Sequence, residues 1–143
     1  MPLETVFSHY RYDPLDRLAS RASLVGAISQ VFYRTHTRVT DLDGGERRSV
    51  FHYARQLLAC QAVIGHAHSA SLTAVDPQNS VLSAIGIDQA VAMAYTPYGH
   101  RLPIDHVPGF NGEPPDPITG DYWLGNGYRA YNPTLMCFNS PDS

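Results

Sequence analysis

The stretch Tyr10-Arg11-Tyr12-Asp13-Pro14-Leu15-Asp16-Arg17-Leu18 reads as a β-hairpin. Successive side chains of an extended chain alternate between two faces. Val6, Ser8, Tyr10 and Tyr12 therefore share one face, and Phe7, His9 and Arg11 the other. Asp13-Pro14-Leu15-Asp16 supplies the turn. The aspartate side chain can bond forward to the backbone, and proline presets φ at the second turn position. Residues 17–22 then return as the partner strand.

The same grammar continues outward. Strands are expected over residues 30–35, with Val31, Phe32 and Tyr33, and over 38–42, with Val39 and Thr40. Asp43-Gly44-Gly45 is a turn, because glycine accepts positive φ without steric cost. Residues 49–53 alternate again, with Val50 and His52 opposite Phe51 and Tyr53. Residues 72–75, a turn at Asp76-Pro77-Gln78-Asn79, and residues 81–87 form another hairpin, and 91–95 one more strand before the turn Thr96-Pro97-Tyr98-Gly99. Residues 54–70 are ambiguous. Strand at 57–60 followed by loop is the expectation. A helix showing Leu57, Leu58, Gln61 and Ile64 on one side is the alternative.

Composition agrees with this outline. The 143 residues suffice for one domain, and 43% apolar content can build a core. Nine tyrosines, with eleven glycines and eleven prolines spread along the chain, suit short strands and tight turns. A net charge of -3 with no basic stripe gives a nucleic-acid partner no support. No apolar run approaches a membrane span, and Met-Pro-Leu-Glu-Thr-Val lacks the features of a secretory signal. The expected location is cytoplasmic as made, with secretion that uses no cleaved signal peptide left open. Two cysteines, Cys60 and Cys137, make neither a disulfide framework nor a zinc cluster. Cys60 lies among Leu57, Leu58, Ala59, Val63 and Ile64 and is expected in the core.

Beyond Val107 turn residues crowd together, with Tyr122, Trp123, Tyr128 and Tyr131 between or just after them. Large aromatics between tight turns suit a compact plug packed on the remainder. Here the motifs become specific. Asp116-Pro117-Ile118-Thr119-Gly120-Asp121-Tyr122 is followed by Gly127-Tyr128-Arg129-Ala130-Tyr131-Asn132-Pro133 and by Phe138-Asn139-Ser140-Pro141-Asp142. In that order and spacing they resemble the repeat-associated core region of the Rhs family, and Tyr95-Thr96-Pro97-Tyr98-Gly99 resembles the element that precedes it. The opening hairpin, with Tyr10, Tyr12, Asp13 and Arg17, resembles the family's tyrosine-aspartate repeat, with Asp16 where glycine is usual. The strong likeness covers about residues 95–142, and the repeat likeness about 7–82.

The resemblance implies an all-β fold, with antiparallel hairpins in a curved open sheet over residues 1–94 and a turn-rich, incomplete core element over 95–143. It implies a segment of a hollow β-shell that encloses a C-terminal toxin, exported by type VI secretion or a related toxin complex and used in bacterial competition. A toxin or a secretion-system component would be a partner. No cofactor is implied. In many members the core region also cuts the chain after itself with aspartates. Asp142 alone matches that machinery here, and Cys137 stands where the family usually has arginine. The glycine-rich continuation, the final cleavage element and the toxin are not in these 143 residues. The expectation is therefore a truncated or orphan remnant that is not an enzyme.

An aspartyl peptidase needs two carboxylates that share a proton, and no downstream partner for Asp142 is in view. His66 and His68, two apart, would point the same way on a strand and form a weak metal pair, with His52, His100, His106 or Asp76 as further ligands. Ordinary packed or solvated histidines are the simpler reading. No nucleophile elbow and no glycine-rich phosphate loop occurs. Trp123 and the late tyrosines could form a sugar platform, which requires exposed, coplanar rings. Bare sheet edges invite self-association or pairing with a longer Rhs chain.

Overall fold

Residues 8–23, 26–102, 107–117 and 119–141 are described by a computed structural model. The hairpin at Asp13 closes as its sequence expects. Asp13 Oδ1 accepts from the backbone N–H of Leu15 and Arg17, Asp16 N–H donates to the Asp13 carbonyl at 3.0 Å, and Asp16 takes φ of 57°. The same device recurs at Asp76-Pro77-Gln78-Asn79. Asp76 Oδ1 accepts from Gln78 and Ser80 N–H, Asn79 N–H donates to the Asp76 carbonyl at 2.9 Å, and Asn79 takes φ of 67°. Thr96-Pro97-Tyr98-Gly99 repeats it with a threonine hydroxyl and Gly99 at φ of 89°. An oxygen-bearing side chain ahead of proline thus sets three of the chain's reversals.

Between these turns runs a meander of nine antiparallel strands in sequential order. They are β1 (Ser8–Tyr12), β2 (Leu18–Ser23), β3 (Ile28–Arg34), β4 (Thr37–Asp43), β5 (Glu46–Tyr53), β6 (Gln56–Ile64), β7 (Ala67–Val75), β8 (Val81–Ile85) and β9 (Ala90–Ala92). The all-β reading therefore stands. Val6 and Phe7 lie outside the described residues.

Residues 54–70 need correction. They hold neither a loop nor a helix but most of two long strands, β6 and β7, turned at Gly65-His66. The strand expected at 81–87 ends at Ile85, because Gly86 N–H already closes a turn on the Gln89 carbonyl, and the one expected at 91–95 spans only Ala90–Ala92.

One face of the sheet buries Leu18, Leu57, Cys60, Ala62, Val81 and Ala84. On the other face the register aligns exposed Phe51, Leu72 and Ile85 in one row with the partly buried Ala59. Leu57, Val81 and Ala84 on the buried face pack with Met93, Tyr95 and Val107, while its β1–β2 end meets a second, three-stranded sheet of β10 (Tyr122–Trp123), β11 (Arg129–Asn132) and β12 (Cys137–Phe138), entered through the 3-10 turn Phe110–Gly112. This plug has its own aromatic core: Phe110 packs with Tyr122 and Tyr131, and Tyr131 with Phe138. Such ring pairs contribute about 0.5–1.5 kcal/mol each beyond burial.

Candidate functional site

The seam between sheet and plug gathers the polar side chains of both layers. Its hub is Asp116, whose side chain is 1% exposed. Asp116 Oδ2 accepts from the Tyr10 hydroxyl of β1 at 3.1 Å, the Arg21 guanidinium of β2 at 3.1 Å and the Trp123 indole of β10 at 3.3 Å. Asp116 Oδ1 accepts from Thr119 N–H, and Gly120, at φ of 76°, donates back to the Asp116 carbonyl. The Asp-Pro-x-Thr-Gly turn is thus folded around its own carboxylate. A buried carboxylate requires donors of this strength to remain charged.

A second tie lies at the helical turn Leu124–Gly127. The Tyr33 hydroxyl sits 2.9 Å from the Leu18 carbonyl and 3.1 Å from that of Asn126, and burial pushes its pKa up to about 12. Gly127, at φ of 92°, lies so close to β2 that an added Cβ would stand 2.3 Å from Leu18 Cβ. Only glycine permits that approach.

A third tie is electrostatic. Arg38 on β4 makes a bidentate pair with Asp41, at 2.8 and 2.7 Å. Its remaining nitrogen lies 3.8 Å from Glu113 of the plug's entry strap. Burial pushes the Glu113 pKa up to about 7; Arg38 opposes the rise and Asp41 adds to it.

Between the ties lies a cavity of about 690 Å3, lined by Val50, His52, Cys60, Val107, Glu113 and Pro115 among others. His52 Nδ1 is buried without a hydrogen-bond partner, and burial lowers the imidazole pKa.

The motif residues divide into four groups. Tyr10, Asp116, Pro117 and Gly120 meet at the hub or form its turn, and Tyr122 is buried in the plug's aromatic core. Asp13 and Arg17 build the first hairpin turn, joined at 2.7 Å, and Arg17 also lies over the Tyr33 ring. Tyr98, Gly99, Arg129, Tyr131 and Pro133 serve the plug itself. The Tyr131 hydroxyl donates to the Tyr98 carbonyl at 2.7 Å, Gly99 lies against the Phe110 ring, Arg129 covers Phe138, and Pro133 follows Asn132 in a capped turn. Tyr12 and Tyr128 border an outer groove and are about half exposed. Arg21, Arg38, Asp41 and Glu113 escaped the sequence reading, and Gly127 was seen only as the first residue of a motif. The signal that could have found the first three is a charge at an inward strand position.

Other candidates fare differently. His66 is in the turn and only His68 is on β7, so the two do not share a strand face. Among the described residues no group of three metal-ligating side chains forms. His106 and Asp142 lie outside the described residues. Trp123 is tilted 49° to Tyr10 and 65° to Tyr12, with its N–H committed to Asp116, so these rings offer no coplanar sugar platform. No helix of the described residues is long and apolar enough to cross a membrane.

Fold and seam together define an open β-meander with one face sealed by a small β-plug. No family model and no curated protein matches the chain. Among solved structures it is similar to TcdB2-TccC3, at 13% identity and a TM-score of 0.48, covering 95% of this chain and 9% of that one.

Proposed function

We propose that this chain is a wall-and-plug segment of an Rhs-type β-shell that encloses a toxin, with a structural and not a catalytic role. The reading rests on the resemblance of the opening hairpin and the C-terminal motifs to that family. The observation that carries it is that those two motifs meet: Tyr10 of the hairpin motif and Asp116 of the core motif share one hydrogen bond across 106 positions. A plug clamped to its own wall suits a part that seals a container.

The proposed partners are a second copy or a longer Rhs chain, joined at a sheet edge, and beyond them a toxin or a secretion component. On either side of β9, the Gln89 carbonyl accepts from Gly86 N–H and Met93 N–H donates to the Leu82 carbonyl of β8. Alternation along an antiparallel ladder then turns the N–H and C=O groups of Ala90 and Ala92 outward. Sedimentation over a range of concentrations tests this. Mass rising with concentration, and lost in Ala92→Pro, supports edge pairing. A monomer at every concentration overturns it.

A further inference from the structure

Residues 107–117 form a strap along one side of the cavity, fixed at both ends. Near its start, Gly109 accepts from Val81 N–H at 3.2 Å, and the Ser80 hydroxyl accepts from Asn111 N–H at 3.0 Å. Its far end is the Asp116 hub. Midway, Glu113 is the strap's tie to β4, with its side chain 18% exposed.

That tie is unusual in its charge count. Arg38 already satisfies Asp41 through two short bonds. Glu113 therefore approaches a guanidinium whose charge is spoken for. With all three ionised, the cluster carries one uncompensated negative charge in a partly dehydrated seam, which is costly. With Glu113 neutral, the cluster is balanced. The remaining titratable or charged neighbours do not alter this balance. The Tyr33 phenol on β3 stays protonated. Arg48 on β5, the register partner of Asp41, is engaged by Glu46 at 2.8 Å and also faces Asp41 and Asp43, so carboxylates already answer its charge, and Asp116 is taken up by Arg21. His52, also on β5, is disfavoured as a cation by burial.

We propose that Arg38, Asp41 and Glu113 form a proton-operated latch between β4 and the strap, shut while Glu113 is neutral and slackened when it ionises. The direction follows from linkage. The docked glutamate holds its proton to about pH 7, whereas a released one loses it near 4.5. Docking is then fully favoured below the released value, weakens as pH rises through this window, and has lost the proton's contribution above pH 7. The cavity behind the strap would open more readily at neutral than at acid pH.

Amide hydrogen exchange on the whole chain tests the latch between pH 5.5 and 8, with the intrinsic pH dependence of exchange divided out. In the wild type, protection of the Gly112 and Glu113 amides is expected to fall about tenfold or more, while mid-strand amides of β6 hold theirs. In Glu113→Gln the strap should stay protected throughout. Asp41→Asn leaves Arg38 to Glu113 alone and should flatten the profile as well. His52→Gln should keep the wild-type profile. A profile unchanged in Glu113→Gln, or abolished in His52→Gln, overturns the proposal. Should Glu113→Gln fail to fold, carboxyl carbon NMR on the wild type decides: a Glu113 midpoint near 7 supports the latch, and one below 5 overturns it.

Discussion

The Tyr10 hydroxyl and the Asp116 carboxylate are 3.1 Å apart, although 106 positions separate them in the chain. The bond ties the first strand of the meander to the first turn of the plug. Arg21 and Trp123 converge on the same oxygen, so one carboxylate joins both sheets.

Asp116→Asn should accordingly cost about 3 kcal/mol, because it leaves Arg21 half buried with only Asp43, at 3.4 Å, for countercharge. Tyr10→Phe removes one neutral donor and should cost about 1 kcal/mol. Urea unfolding of the two single variants and the double variant measures the coupling. The double variant should be more stable than the sum of the single losses implies.

Gly127→Ala should loosen the plug selectively. The new methyl would meet backbone and Cβ atoms of Leu18, which cannot swing aside, and the residue's φ of 92° disfavours any side chain. The expected loss is about 2–4 kcal/mol. Trp123 is the sole tryptophan and its ring centroid lies 4.4 Å from that of Tyr10, so its emission reports plug docking. Emission should shift to the red at a lower urea concentration than in the wild type. Gly120→Ala, where nothing lies within 4 Å, should shift it less.

What the sequence disclosed follows from how local each cause is. The turns at Asp13, Asp76 and Thr96 were legible because a side chain and the proline beside it build them. Strand β6 was not. The register shift between Phe51 and His52 makes Leu58 an extra residue, so Leu57 and Cys60 share a face three apart. That spacing imitates a helix. Asp116 was visible as part of a motif, but Arg21 lies 95 positions away and resembles any strand arginine until the plug folds over it. Glu113, between Gly112 and Pro114, reads as loop, and its raised pKa arises from burial, with Asp41 adding and Arg38 opposing.

The β5–β6 turn carries removable strain. Ala54 and Arg55 hold φ of 47° and 68°, conformations that favour asparagine and glycine. The Asn79 side chain holds them there, donating to the Arg55 carbonyl at 2.7 Å and accepting from Leu57 N–H at 3.1 Å. Ala54→Asn with Arg55→Gly should raise stability by about 1 kcal/mol, and Tm by about 2–4 °C. Asn79→Ala should lower stability by about 2 kcal/mol, since it removes two bonds and a residue suited to its own positive φ. Calorimetry on the three chains checks both signs.

The two thiols should differ in reactivity. Cys60 is 5% exposed on the inner face of β6, and burial pushes its pKa up, which leaves little of the nucleophilic thiolate. Cys137 on β12 is exposed. With an aromatic disulfide reagent at pH 8, one equivalent should react at the rate of a small free thiol and the second only as the chain opens. Urea should accelerate the slow phase and leave the fast one unchanged, and Cys137→Ser should abolish the fast phase alone. Two fast equivalents in the native chain would show that the plug does not shield the inner face of β6.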